Sequence, residues 1–265
     1  MAIQTLDNLL TAIQGGSRNT LVKSSVTAEG AGTYHSMLKV AGLPTAFGSN
    51  PTTVNGDIPT GITTYSLTLP TISGGNKCYL SNFTAQSMIA GSLILYDRLW
   101  HNSGLVGNVA TAQTFTTPAL TRYTDGVGVE IWLEFYSAIG ATATTFTVTY
   151  VDADDVTRTC TYAHPANAET VGQMITFVMP TGSRGVKSIS QIQLAATTGT
   201  AGNFGLVLMK RIATLPIAIP NVAVSLDAFG LGMPEIQPNA CLCTMLACTT
   251  TSTGNILGEI TLVQG

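Results

Sequence analysis

One short stretch of the sequence brings an acid, a base, an imidazole and an indole close together. In LILYDRLWHNSGL, residues 93–105, four chemically capable residues fall within five positions: Asp97, Arg98, Trp100 and His101. These residue types could carry acid–base catalysis or could serve architecture alone. Asp97 and Arg98 are adjacent, so they point to opposite faces of a strand and do not form a ready acid–base pair.

Catalysis at this stretch would need a nucleophile or a second base from elsewhere in the chain. The sequence contains no G-x-S-x-G elbow, no Walker A motif and no G-x-G-x-x-G after a strand. We therefore expect a strand or short helix that enters a loop at Asn102-Ser103-Gly104. Trp100 is predicted to be a large packing residue and Arg98 to pair with a carboxylate. The protein is predicted not to be an enzyme.

Two groups of acidic residues could serve metal binding or sugar chemistry. The run DADD, residues 152–155, lacks the glycine and glutamate of a calcium loop, since Thr157 and Ala163 occupy those positions. It is predicted to be a hairpin turn. Glu130 and Glu134 lie on one face of a strand, with Cα atoms roughly 13 Å apart, wider than the spacing of paired glycosidase carboxylates. They are predicted to lie on a solvated or interface face.

The histidines and cysteines do not form a metal motif either. His35, His101 and His164 are too far apart in sequence for a local metal clamp. We predict no cofactor and no metal. An odd number of cysteines without a secretion signal argues against a disulfide framework, and we expect small buried apolar residues at Cys78, Cys160, Cys241, Cys243 and Cys248.

The composition points towards assembly. Only 9% of the 265 residues are charged, and 45% are hydrophobic, so much of the surface is expected to be covered by other copies or other proteins. The 11 basic residues are scattered, which predicts no nucleic-acid partner. No long apolar run predicts a membrane span, and MAIQTLDNLL does not resemble a signal peptide. Synthesis in a cytoplasm without export by that route is expected.

The pattern of strands predicts a mainly β fold. VGVEIWLEFYSAIG, residues 127–140, alternates between two faces, and β-rich runs flank the DADD turn. Further strands are predicted at 62–72, 77–87, TVGQMITFVMP, VKSISQIQLAAT, NFGLVLMKRIATL, ACLCTMLACTT and ILGEITLVQG. Some eight strands at this spacing indicate an antiparallel β-sandwich, most simply jelly-roll-like.

The N-terminal region is predicted to be different from this body. Residues 5–14 form an amphipathic helix that Thr5 can cap and Gly15-Gly16 can end, packed on its own domain or docked on a partner. A second short helix is expected around 34–40, followed by an extended segment rich in Pro, Gly and Asn. We predict an N-terminal helix and extended arm over residues 1–60 and a sandwich body over 61–265.

Three stretches carry a resemblance to a known group of proteins: LYDRLWHNSGL at 95–105, TPALTRYTDGVGVEIWLEFYSAIGATATT at 117–145, and AGTYHSMLKVAGLPTAFGSNP at 31–51. They resemble virion structural proteins of tailed bacteriophages and prophages, a group that includes capsid decoration, or cement, proteins. The resemblance implies a β-sandwich homotrimer seated on the outside of the capsid, with the major capsid protein and its own copies as partners.

The sequence therefore predicts a non-enzymatic capsid cement protein. Two alternatives remain open: a receptor- or glycan-binding module that presents Trp132 and Tyr136 as an exposed platform, and the major capsid protein itself. The second lacks a helix long enough for a capsid spine. The arm pattern suggests that the capsid or partner interface involves Ile3, Leu6, Leu9, Leu10, Ile13, Tyr34 and Phe47.

Overall fold

The computed structural model describes residues 3–24, 31–51, 54–72, 74–167, 169–250 and 254–265. Its strands pair antiparallel in each of the registers described below. In chain order the strands are β1 (Ser17–Lys23), β2 (Tyr34–Ser36), β3 (Gly42–Leu43), β4 (Cys78–Ser87), β5 (Gly91–His101), β6 (Gln113–Thr114), β7 (Val129–Ser137), β8 (Thr144–Asp152), β9 (Thr157–His164), β10 (Gln173–Thr176), β11 (Val186–Leu194), β12 (Asn203–Ile217), β13 (Val224–Leu226), β14 (Glu235–Ile236), β15 (Leu242–Cys248) and β16 (Ile256–Gln264).

Helices make up a small part of the fold. The first, α1 (Leu6–Gln14), begins where the Thr5 hydroxyl accepts a hydrogen bond from Asn8 N at 3.2 Å and ends at Gly15. This is the predicted capping arrangement. The second, α2 (Ala228–Leu231), is a single turn. No described helix is long and apolar enough to cross a membrane. The predicted mainly antiparallel β fold with a short N-terminal helix is confirmed.

The chain forms two compact units, and neither is continuous in sequence. The first unit consists of Met1–Phe47, Thr60–Asp97 and Ile212–Gly265, and the second consists of Gly48–Pro59 and Arg98–Arg211. Each has its own buried cluster of apolar side chains. Each therefore has the core that a sandwich needs.

In the first unit, one sheet has the strand order β13-β4-β16-β1-β3, and β14 also pairs with β4. Facing it, β15 pairs with β2 and with the Gly91–Asp97 part of β5. The core between these strands includes Phe83 of β4, Ile260 of β16 and Leu246 of β15, each fully buried. Alternation along β1 and β4 directs every second side chain into this core.

In the second unit, one sheet has the order β6-β11-β8-β9. Against it, β7 pairs with β10 and with residues 203–210 of β12. The core takes Phe146 of β8 and Ile189 of β11 from the first of these layers, and Ile131 of β7 and Phe204 of β12 from the second. The predicted hairpin around the DADD turn is confirmed as β8 and β9.

One local prediction was confirmed in part and another was wrong. Within 34–40, a short 3-10 helix forms at Met37–Lys39, but residues 34–36 form β2 because they pair with β15. Residues 62–72 contain no strand. Their local turn is closed by Ser66 N donating to Thr63 O at 3.1 Å. The Asn19 side chain hydrogen-bonds both the N–H and the C=O of Thr68. These two backbone groups are therefore not available to a neighbouring strand.

Residues 1–60 do not form one separate segment in the structure. The β1 strand lies between β16 and β3 inside the sheet of the first unit, and α1 contacts β16 of the same unit. Residues 48–59 belong to the second unit. The proposed capsid-binding role of residues 1–60 stays a prediction.

Candidate functional site

The acid, base and imidazole of the opening stretch lie on β5, and the second unit holds Arg98, Trp100 and His101. The Arg98 Nη2 atom lies 2.6 Å from Glu134 Oε2 on β7, and both side chains are 1% exposed. The prediction that Arg98 pairs with a carboxylate is confirmed. Trp100 is fully buried and stacks on Phe115, with ring centroids 5.7 Å apart, as a packing residue should.

His101 links this ion pair to the surface. Arg98 Nε donates to His101 Nδ1 at 2.7 Å, so the ring proton must lie on Nε2, which donates to Asp57 Oδ1 at 3.0 Å. Burial, together with the neighbouring Arg98 charge, lowers the pKa of His101 to about 4. The imidazole is therefore neutral at neutral pH, with one nitrogen accepting and the other donating.

Glu134 also accepts a hydrogen bond from Tyr136. The Tyr136 hydroxyl lies 3.0 Å from Glu134 Oε2 and 3.2 Å from Arg98 Nη2. Burial, and then the Glu134 charge, raises the pKa of Tyr136 well above its ordinary value. The phenol thus stays protonated and donates to the carboxylate. We name the chain of Asp57, His101, Arg98, Glu134 and Tyr136 the charge ladder.

The groups of the charge ladder are arranged to bind one another rather than to react with a substrate. Its imidazole has both nitrogens engaged, and its buried carboxylate accepts from a guanidinium and a phenol. Asp97 points away from it: in the first unit, Asp97 Oδ1 accepts from Cys241 N at 2.9 Å. The expected divergence of Asp97 and Arg98 is therefore confirmed. The ladder's chemistry is charge neutralisation and hydrogen bonding, and it includes no serine, threonine or cysteine nucleophile.

The ladder and its neighbours hold a segment that we name the strap, residues 48–51 and 54–59. Trp100 Nε1 donates to Asn55 O at 3.1 Å and Asn102 Nδ2 donates to Val54 O at 2.8 Å. Arg122 Nη2 donates to Pro59 O at 3.0 Å, and Ser103 Oγ donates to Pro51 O. Four buried side chains thus donate hydrogen bonds to backbone carbonyl groups of the strap. This is the extended Pro- and Gly-rich segment that the sequence predicted.

The DADD run forms the β8–β9 turn, as predicted. Asp152 accepts hydrogen bonds from Asp154 N at 2.8 Å and from Val156 N at 2.9 Å, and its second oxygen accepts from Arg158. The outer two acids pair with basic residues of a neighbouring segment, Arg184 and Lys187. Every acid has a protein partner, which is a turn arrangement. In the described part of the chain, no group of three histidine, cysteine or acidic residues could hold a metal ion.

All five cysteines are free and buried, as the sequence analysis expected. Burial raises the pKa of Cys78 to about 11 and that of Cys160 to about 12. Thiols with such pKa values carry almost no thiolate at neutral pH and behave as small apolar residues.

The exposed aromatic platform predicted for a glycan-binding module was wrong. Trp132 is 1% exposed and Tyr136 is 6% exposed. Trp132 Nε1 donates to Glu130 Oε2 at 2.9 Å, and the Tyr136 hydroxyl belongs to the charge ladder. Glu134 likewise lies in the interior rather than on a solvated face. Both faces of β7 are covered, so alternation predicted its two faces correctly but not that the second would be buried.

The predicted interface residues lie in the first unit, with different exposures. On α1, Leu6 is 62% exposed and Leu10 is 49% exposed, whereas Leu9 is buried. Ile3 and Ile13 are half-buried. Leu6 and Leu10 are one turn apart, so they lie side by side on the free face of the helix. The helix both packs on its own unit and presents two leucines to solvent.

The two remaining predicted residues are not part of this leucine pair. Tyr34 is half-buried on β2 and pairs in register with Ala247. The Phe47 ring is also half-buried and packs on Tyr65, with centroids 4.4 Å apart. Both therefore already have neighbours within the first unit.

A second apolar surface was missed by the sequence analysis. On the outer face of the β13-β4-β16-β1-β3 sheet, Leu43 pairs in register with Val22, and Val22 pairs with Leu257. Leu43 and Leu257 are exposed, so the three form an apolar row across three strands. Only the register of the sheet brings them together, since they come from distant parts of the chain.

A buried lysine was missed as well. Lys23 is 1% exposed, and its Nζ donates to Val40 O at 3.3 Å and to Pro44 O at 2.5 Å. Burial lowers its pKa to about 8. The ammonium holds the chain around the 3-10 turn against β1. Its place at the end of an alternating strand was the available clue, because alternation directs it inward.

Comparisons with known proteins give little guidance. No protein-family model matches the chain, and no curated protein matches it. Solved structures that resemble it include chains from structures of infectious bursal disease virus. The structure of the Gt strain is 16% identical, with a TM-score of 0.20 over 94% of this chain and 65% of that one. The VP2 subviral particle is 14% identical, with a TM-score of 0.20 over 93% and 64%.

The chain thus spans less than two thirds of the length of these viral chains. At such TM-scores the likeness does not bear on what this chain does.

Proposed function

We propose that the protein is a non-enzymatic virion structural protein, a decoration or cement protein that binds the outer surface of a major capsid lattice. The observation that carries this proposal is the pair of exposed leucines, Leu6 and Leu10, on a short helix already anchored by Leu9. The chain has only 9% charged residues, and its sequence stretches resemble virion proteins. An exposed apolar pair on such a chain fits a docking element.

Burial of apolar surface would supply the binding energy. Full burial of a leucine side chain contributes about 1.5–3 kcal/mol, so two leucines on one helix form a weak grip by themselves. The apolar row of Leu43, Val22 and Leu257 offers a second contact area on the same unit. A homotrimer, which is part of the proposal, would carry three such grips and gain affinity through avidity.

The charge ladder and the strap support this role indirectly. A cement protein must keep its shape under load, and buried charge-assisted hydrogen bonds between distant parts of the chain fix one arrangement. The strap is bound through its carbonyl groups by four side chains. Hydrogen bonds of the strap and the charge ladder therefore stabilise the second unit. The first unit carries the leucine pair and the apolar row.

The direct test uses capsid shells that lack the protein. The double variant Leu6→Asp with Leu10→Asp should bind the shells at least tenfold more weakly than wild type, because two buried leucines are replaced by charges. It should also fail to raise the temperature at which the shells rupture. Val178→Asp is the matched control, since Val178 is 82% exposed in the second unit, and it should bind as wild type does.

Circular dichroism of both variants checks that the fold is intact, which is expected because Leu9 keeps α1 in place. Equal binding by the double variant and the wild type would refute docking through Leu6 and Leu10. Equal rupture temperatures for shells with and without the wild-type protein would refute the cement function.

A further inference from the structure

The two complete sheets differ in how their edges end. In the sheet of the first unit, the edge strands β13, β14 and β3 have three, two and two residues. In the four-stranded sheet of the second unit, β6 has two residues, but β9 on the opposite edge has eight. Short edge strands are one way in which proteins avoid pairing with other chains. Among the described edges of these two sheets, β9 alone lacks this protection.

The β9 strand also lacks the other common protections. TRTCTYAH contains no proline and no lysine, and it pairs with β8 through eight consecutive positions without a bulge. Its one charged residue, Arg158, binds Asp152 within its own hairpin. The strand is therefore regular, uncharged at its outer edge and rich in β-branched residues, which is the type of edge that accepts another strand.

The backbone groups of alternate β9 residues face away from β8. Asp152 N donates to Val156 O, so even-numbered residues of this hairpin direct their N–H and C=O groups towards each other. Odd-numbered residues of β9 direct theirs to the outer edge, where the described part of the chain provides no pairing strand. These residues also have exposed side chains: Thr157, Thr159, Thr161 and Ala163.

We propose that this edge pairs with β9 of a second copy of the chain, antiparallel and around a two-fold axis at Cys160. The alternation of faces restricts the register, because core-facing residues must lie opposite core-facing residues. A two-fold axis at Cys160 meets this condition and sets Thr159 opposite Thr161. Both outward-facing residues then exchange backbone hydrogen bonds with their partners.

The chemistry of the edge favours a second copy over an unrelated protein. The outward-facing side chains are three threonines and one alanine, so the edge is self-complementary in size and brings no like charges together. Arg158 would face Tyr162 of the other copy rather than the other Arg158. The two four-stranded sheets would become one continuous sheet, with the same surface contributed by each copy.

This contact goes beyond the proposed capsid function and does not depend on it. It uses the second unit, whereas docking through Leu6 and Leu10 uses the first. A two-fold contact is also separate from the three-fold association of a trimer, and on a shell it would join one trimer to the next. The experiments below use the isolated protein without shells, so their outcome is independent of capsid binding.

The first test is Thr159→Pro, measured by sedimentation velocity over a concentration series. The Thr159 N–H faces the open edge, so proline removes no hydrogen bond within the hairpin and is tolerated at an edge position. It does remove the donor that the second copy needs. We expect association through this edge to weaken at least tenfold. Thr159→Ala is the matched control, since it keeps the N–H, and it should associate as wild type does.

A thermal melt of each variant checks the fold. Wild-type protein that sediments only as a monomer, or only as a trimer, over the whole concentration series would overturn the proposal. The proposal would also be overturned if the Thr159→Pro protein stayed folded and associated as strongly as wild type. This holds even if wild type and variant both form trimers.

The second test fixes the register. Thr159→Cys and Thr161→Cys proteins are treated, separately and mixed, with a short bifunctional thiol reagent. The native cysteines are buried, so the introduced thiols are the reactive ones. The mixture should form cross-linked dimers far more efficiently than either variant alone, because position 159 faces position 161 of the other copy. Equal cross-linking of all three samples, or none, would overturn the proposed register.

Discussion

Two clusters of charged residues in the second unit differ in what they depend on. The charge ladder joins Asp57, His101, Arg98 and Glu134, which come from separate parts of the chain and lie mainly in the interior. The DADD turn joins acids that are consecutive in sequence, and its outer ion pairs are exposed. The same residue types therefore do different work in the two places.

The difference lies in the surrounding solvent. Water and salt screen an exposed pair, which contributes little to stability, whereas a buried charge must be neutralised by its partner or it costs several kcal/mol. Losing a partner should therefore unfold the ladder region but barely affect the outer turn.

The largest effect is expected for Glu134→Ala. The variant leaves the Arg98 guanidinium buried without its carboxylate, so the free energy of unfolding should fall by about 3–5 kcal/mol. Urea denaturation of wild type and variant measures this difference.

The double variant Arg98→Met with Glu134→Leu serves as the control, because it removes both charges and keeps apolar volume. It should be clearly more stable than Glu134→Ala alone. If Glu134→Ala unfolds at the same urea concentration as wild type, the ladder is not a stabilising element and the contrast fails.

An intermediate effect is expected from pH, through His101. The pKa of His101 is lowered by burial to about 4 from 6.5, so between these values the unfolded state binds more protons than the folded state. The contribution of the neutral His101 to the free energy of unfolding should therefore be complete above pH 6.5. It should fall by roughly 3 kcal/mol in total as the pH decreases towards 4. His101→Gln, which can accept from Arg98 and donate to Asp57, should lose much less over this window.

Denaturation curves at several pH values measure both proteins. The hydrogen bond from His101 also lowers the pKa of Asp57. That contribution is lost below the ordinary aspartate range, so it does not explain a loss that begins above pH 5. Parallel pH profiles for wild type and His101→Gln would show that His101 is not responsible.

The sequence predicted the local features of this contrast and missed the distant ones. The DADD turn, the β8–β9 hairpin and the capped helix α1 follow from residues within a few positions of one another. Pairing of Arg98 with some carboxylate was predicted, but its identity as Glu134, 36 residues away, was not. Distant pairing depends on strand order, which periodicity does not encode.

The same reasoning explains the other failures. Trp132, Glu134 and Tyr136 were expected on a polar face because the sequence alternates there, yet a second layer covers them. The division of the chain at residue 60 was drawn from a change in composition and stays a prediction. Composition could not reveal that β1 pairs with the C-terminal β16, or that Leu43, Val22 and Leu257 meet on one sheet face. Long-range register decides these features.

The smallest effect is expected for Asp154→Asn at the DADD turn. Asp154 pairs with Arg184 in an exposed position, and the turn itself is held by Asp152 through backbone N–H groups. The midpoint of thermal unfolding should therefore change by less than about 2 °C. Asp152→Ala in the same turn should lower it distinctly more, because two backbone donors and Arg158 lose their acceptor. If the thermal midpoint of Asp154→Asn fell as far as the thermal midpoint of Glu134→Ala, exposure would not separate the two clusters. The contrast between them would then have to be explained by their geometry.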